Sequence, residues 1–93
     1  MITYIATLKA FPGKEKELTA FCAELAKQVR NEDGCLMCLS HVVANDPGTI
    51  VFFEKYKDEA AHQAHMQAGY MQEGFEKLKE LAMDDNVVFL SEL

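Results

Sequence analysis

Three stretches of this chain are apolar on both parities, and that pattern restricts its fold more than any other feature. In Thr49–Lys57, Ile50 and Phe52 occupy one side of an extended backbone and Val51 and Phe53 the other. In the last stretch Val88 and Leu90 oppose Val87 and Phe89. Between Cys35 and Ala44, Leu36, Cys38 and Val42 oppose Met37, Leu39 and Val43. Successive side chains on a strand point to opposite faces, so an antiparallel sheet with one wet face alternates apolar and polar residues. Strands patterned like these need cover on both faces.

Helices can supply one cover. Between Lys14 and Arg30 the apolar residues Leu18, Phe21, Cys22, Leu25, Ala26 and Val29 recur at the spacing of one helical stripe. Gly34 follows just past its end, where a left-handed cap is expected. Before it, Met1–Ala10 is rich in β-formers and is broken by Phe11-Pro12-Gly13. Asp46-Pro47-Gly48-Thr49 has the proline and glycine of a type II turn, which makes a hairpin of the second and third strands. Asp58 is placed to cap a short helix reaching about Gln67, with Glu59 in its first turn. Gly69 interrupts, and a further helix carries Met71, Gly74, Phe75, Leu78, Leu81 and Ala82 on one face. Asp84-Asp85-Asn86 turns the chain into a last strand, Val87–Leu93. The order β-α-β-β-α-α-β predicts an α+β, ferredoxin-like fold: a four-stranded antiparallel sheet with helices on one face. At 93 residues this is a single domain, 1–93.

The second face then lacks cover. Left open it would expose roughly several hundred Å² of apolar surface, more than monomers usually tolerate. The loops are too short to cap it. The expected remedy is a homodimer, two copies packing through their sheet faces about a two-fold axis.

Composition narrows the other partners. Acidic residues outnumber basic ones 15 to 9, for a net charge of −6. Nucleic-acid binding requires a basic surface, so that class is excluded. No apolar run approaches the roughly 20 residues that span a bilayer, and Met1-Ile2-Thr3-Tyr4 does not open a signal peptide. Three cysteines without such a signal point to reduced thiols in a cytoplasmic protein. Cys35-Leu36-Met37-Cys38 has C-x-x-C spacing, but on a regular strand its thiols point to opposite faces, and no second pair completes a zinc site.

Gly34-Cys35-Leu36, the hairpin after it, Glu54-Lys55-Tyr56-Lys57-Asp58-Glu59-Ala60-Ala61, and then His65 resemble the antibiotic biosynthesis monooxygenase family of dimeric α+β barrels. That family shows G-C before strand two, E-x-W-x-D at the end of strand three, and a His about eleven residues after the Glu. The resemblance covers nearly the whole chain and implies a fold more firmly than a reaction. Its members include cofactor-free oxygenases of phenols and quinols, haem-degrading enzymes, isomerases of small phosphorylated sugars, and proteins without known activity. Tyr56 stands where the family has Trp, and the chain has no Trp at all, which argues against the haem-degrading branch. Cys38 stands where an aromatic residue is common, which implies a roomier cavity.

On these grounds His65 is the candidate general base and Glu54 the carboxylate that orients it. A carboxylate beside an imidazole selects its tautomer, and the ring can then take a proton from a bound phenol or hydroquinone. Phe52, Tyr56, Tyr70 and Phe75 are the candidate walls of a flat apolar substrate site. The implied reaction is monooxygenation of a small quinol by oxygen, with no cofactor and no metal. The plainer reading is a structural Glu–His hydrogen bond among core aromatics, in a dimeric ligand-binding or stress-response protein. An isomerase of a small oxygenated metabolite is the rival enzyme. It needs basic residues for a phosphate, and Lys55 and Lys57 are the nearby candidates. His62 lies three residues from His65, within reach of a shared metal, but A-H-Q-A-H lacks the Glu of H-E-x-x-H. His62 is therefore expected as a solvated neighbour. His41 could face either the dimer partner or a cavity. The Glu73–Glu80 run reads as a solvated helix face.

Overall fold

The computed structural model describes residues 1–93. Its elements are β1 (Ile2–Ala10), α1 (Glu15–Arg30), β2 (Cys35–Val43), β3 (Asp46–Tyr56), α2 (Glu59–Gln67), α3 (Gly69–Leu81) and β4 (Ala82–Leu90). The strands form one antiparallel sheet in the order β2-β3-β1-β4. The element order and one-sided helical layer are those the sequence predicts.

Pairing assigns every strand residue to a face. Tyr4 lies opposite both Glu54 and Phe89, and Cys38 is also opposite Glu54. Cross-strand partners share a face, so these four share the helix side with Leu8, Ile50, Phe52 and Tyr56; all but Phe89, which is 63% exposed, are buried beneath the helices. The stripe of α1 packs there: Leu18, Cys22, Leu25, Ala26 and Val29 are all buried. α3 packs on the same stripe with Gly74, where a Cβ would make ordinary contact with Leu25.

The opposite face carries Ile5, Val51, Phe53, Met37, Leu39, Val88 and Leu90. No element of the chain covers it: Leu39, Val88 and Leu90 are all exposed. His41 pairs with Val51 and so belongs to this uncovered face.

Local details depart from the sequence reading at four places. Gly34 is not a left-handed cap, because Gly13 is the one residue with positive φ. What Gly34 permits is contact: a Cβ there would stand 2.2 Å from the Cβ of Ala61 on α2. The hairpin turns at Ala44-Asn45, and Asp46-Pro47-Gly48-Thr49 enters β3 as an irregularity, with Val43 opposite Asp46 and Val42 opposite Ile50. Asp46 holds that segment by accepting from Gly48 N at 3.2 Å and Thr49 Oγ1 at 2.6 Å. The two later helices break at Ala68, whose ψ is 137°, and Gly69 begins α3. Finally, Asp84-Asp85-Asn86 is not a turn: β4 starts at Ala82, and these residues pair with Lys9, Leu8 and Thr7.

A bulge between Cys35 and Met37 also changes the phase of β2. Cys35 pairs with Tyr56 and Cys38 with Glu54, so both thiols face the helices rather than opposite sides. Burial, the leading cause for each, pushes both thiols upward from their ordinary range. They are thus held protonated and poorly reactive.

Candidate active site

His65 is the most buried charge-capable side chain on α2, at 3% exposure. Asp58 fixes the start of that helix by accepting from Ala61 N at 2.8 Å, the cap its sequence position predicts. Two turns later the imidazole lies against the Tyr56 ring, with centroids 4.8 Å apart. Its Nδ1 meets Glu32, at 2.8 Å from Oε2 and 3.1 Å from Oε1. A carboxylate only accepts, so Nδ1 carries a hydrogen, and in the neutral form of the ring the lone pair is then on Nε2. Glu32 also accepts from the Tyr70 hydroxyl.

The orienting carboxylate is therefore Glu32, which the sequence reading missed, and not Glu54. It lies in the turn between α1 and β2, 33 residues from His65 in sequence. The close approach of Gly34 to Ala61 draws that turn against α2, and Lys57 N donates to Gly34 O at 2.9 Å beside it. The available local signal was slight: a carboxylate two residues before the glycine that touches α2.

Glu54 lies on the other side of the ring. Its Oε1 stands 3.8 Å from His65 Nε2, beyond hydrogen-bond length, and accepts from Tyr56 OH at 2.6 Å and Tyr4 OH at 3.0 Å. Burial, and after it the Glu54 charge, pushes both phenols far upward from their ordinary range, so both stay protonated as donors. Tyr70 is pushed upward as well, by burial and then by its bond to Glu32. No buried side-chain nitrogen or oxygen lacks a partner.

An apolar cavity of about 310 Å³ opens beside this network, between the sheet and the helices. Phe52 and Phe75 line it, together with Tyr4 and Phe89. Tyr56 and Tyr70 do not. Tyr56 lies fully buried beneath Glu54, and Tyr70 is engaged with Glu32. His62 is no solvated neighbour: it lines the cavity, with its ring centroid 5.4 Å from Tyr4 and 6.1 Å from His65. Burial lowers its pKa from the ordinary value, and the neighbouring His65 adds to the effect, so His62 is neutral at pH 7. Neither candidate phosphate ligand reaches the cavity. Lys55 lies over Phe53 on the uncovered face, and Lys57 lines a separate open groove past Glu32. His62 and His65 acquire no third ligand that would hold a metal.

Fold and cavity together define a small ferredoxin-like α+β domain with one buried imidazole–carboxylate pair opening on an apolar hollow. The chain belongs to the antibiotic biosynthesis monooxygenase family, which matches residues 1–77. It is similar to the Bacillus subtilis (strain 168) protein named "Putative monooxygenase YcnE", at 32% identity over 81 residues, covering 87% of this chain and 85% of that one. It also matches the uncharacterised protein sll1783 of Synechocystis sp. at 28% identity over 80 residues; there it covers 86% of this chain but spans only about half, 54%, of that relative. Among solved structures, PA3566 from Pseudomonas aeruginosa superposes with a TM-score of 0.92 at 26% identity, covering 99% of this chain and 93% of that one. Rv0793 from Mycobacterium tuberculosis superposes at 0.89 with 25% identity, covering 99% and 94%. No helix is long and apolar enough to cross a membrane.

Proposed function

We propose that this chain is a cofactor-independent monooxygenase that hydroxylates a small quinol or phenol, with His65 as its general base. One observation carries the reading: a buried imidazole held at Nδ1 by Glu32 keeps Nε2 free on the side of an apolar cavity of about 310 Å³. A base fixed in this tautomer can take a proton only at Nε2. Family membership and the name of the Bacillus relative support the class of reaction.

The steps balance without any other reductant. His65 Nε2 takes the proton of a quinol hydroxyl. The anion gives one electron to O2, and the resulting substrate radical and superoxide combine into a C–O bond as a peroxide anion. The imidazolium returns its proton to that peroxide. Loss of water then leaves a hydroxyquinone, with one oxygen atom in product and one in water. All four electrons that O2 accepts come from the substrate. Glu54, held by Tyr4 and Tyr56, places a fixed negative charge 3.8 Å from Nε2, where it stabilises the imidazolium that forms. General-base catalysis of this kind is worth about 10²–10⁴ in rate.

The working unit in this reading is a homodimer closed through the uncovered sheet face, whose apolar row extends across all four strands. A reducing cytoplasm suits its three free thiols. The test is oxygen uptake with a panel of quinols. His65→Ala is expected to lower kcat by about 100-fold or more. Unchanged uptake removes His65 from the mechanism.

A further inference from the structure

One charged side chain of the cavity has no part in this chemistry. Asp85 stands on β4 opposite Leu8, whereas Glu54 and Phe89 stand at the level of Tyr4. Four residues of strand separate the two levels, about 13 Å at ~3.3 Å per residue. Asp85 thus marks the end of the cavity remote from the imidazole. There the cavity adjoins a second hollow, of about 200 Å³, which shares Leu8, Phe75, Leu78 and Asp85 with it. Asp85 is in no ion pair. Lys79 lines the adjoining hollow together with Asp84, but pairs with Glu76 at 3.3 Å.

The rest of the lining gives this carboxylate its meaning. Besides Asp85, the polar residues around the cavity are Glu54, His62, His65 and Tyr4, whose hydroxyl is already given to Glu54; no Lys or Arg borders it. Asp85 is solvent-exposed at the open end of the cavity, so an anionic group lying there would meet a like charge with no cation beside it to offset the repulsion. A carboxylate accepts hydrogen bonds and cannot donate them. The occupant that satisfies both ends is uncharged and flat, with one hydroxyl at His65 and a second donor at the far end.

We propose that Asp85 is a specificity-determining residue, whose carboxylate accepts a hydrogen bond from the second hydroxyl of an elongated aromatic diol and bars ligands that are anionic at that end. This deepens the reading of the cavity as the substrate site and rests on it.

The test compares three ligands of one shape, bound to the full chain without oxygen and followed by their naphthalene fluorescence. They are 2,6-dihydroxynaphthalene, 6-methoxy-2-naphthol and 6-hydroxy-2-naphthoate. In the parent protein the diol is expected to bind about tenfold or more tighter than the methoxy ether, the difference a hydrogen bond to a charged acceptor makes. The naphthoate is expected to bind weakest. Asp85→Ala removes acceptor and charge, and should bring diol and ether within about twofold. Asp85→Asn keeps a carbonyl acceptor, so it should keep the diol preference while the naphthoate gains about tenfold. Asp85 is exposed on an edge strand, so neither change threatens the fold. Ligand ratios in Asp85→Ala equal to the parent's overturn the proposal, as does a parent that binds all three alike or none. These are binding constants, so they are independent of oxygen chemistry. If His65→Ala keeps its oxygen uptake while the Asp85 series behaves as stated, the catalytic reading fails and the specificity reading stands.

Discussion

Phe52 and Phe53 are neighbours in sequence with identical side chains, yet they belong to different worlds. Phe52 points beneath the helices, is 5% exposed, and borders the cavity with Glu54 one place further along the same face. Phe53 points the other way, into a row with Ile5 and Leu39 that nothing in the chain covers. Apolar content does not distinguish the two faces. Polar groups do. The covered face holds two hydrogen-bonded sets, Tyr4 and Tyr56 on Glu54 and Tyr70 and His65 on Glu32, which approach to 3.8 Å between Glu54 and His65 Nε2 inside an apolar wall. The uncovered face presents an apolar row of Leu39, Phe53, Ile5 and Val88 flanked by Thr3, Thr7, Asn86, His41 and Lys55, with no buried hydrogen-bonded set like that of the covered face.

The largest expected effect separates the two faces outright. In the proposed homodimer, Phe53→Asp should leave the fold intact and abolish association, read by sedimentation at micromolar concentration, because a carboxylate at the centre of an apolar interface is desolvated without a partner. Phe52→Ala should leave assembly alone and lower stability by about 3 kcal/mol in denaturant melts, the cost of emptying a core position. A parent chain that sediments as a stable monomer would break the contrast.

Next in size is Glu32→Gln. An amide can accept from Nδ1 as the carboxylate does, but it lacks the charge that stabilises the imidazolium. The expected loss is about 100-fold in kcat with KM little changed. A purely structural Glu32 would move stability and leave the pH profile of kcat where it was. Gly34→Ala sharpens the same point through packing. Its Cβ would stand 2.2 Å from that of Ala61, so the turn carrying Glu32 must move off α2. A stability loss of about 1–3 kcal/mol is expected by thermal melting, with activity falling as the Glu32–His65 bond lengthens.

The smallest effect is a pH dependence. His62 is half-buried and its pKa is lowered in the folded chain, so below the ordinary histidine value the unfolded chain binds the extra proton first. Stability should therefore be full above about pH 6.5 and decline as pH falls through the window beneath it. His62→Gln should flatten that part of the profile. A decline of the same slope in the variant would assign it to another group.

Local sequence rules determined the element order, the face that α1 buries, the Asp58 cap, and the conflict of a sheet that is apolar on both sides. These follow from local rules: side chains alternate on a strand and recur every three or four residues on a helix. Tertiary contacts decided the rest. A bulge reversed the phase of Cys35, a longer β4 drew Asp85 out of a turn and into the cavity wall, and a glycine contact brought Glu32 to His65 across 33 residues. A hydrogen-bond partner depends on where two distant backbones come together in space, and no periodicity along the chain encodes that meeting.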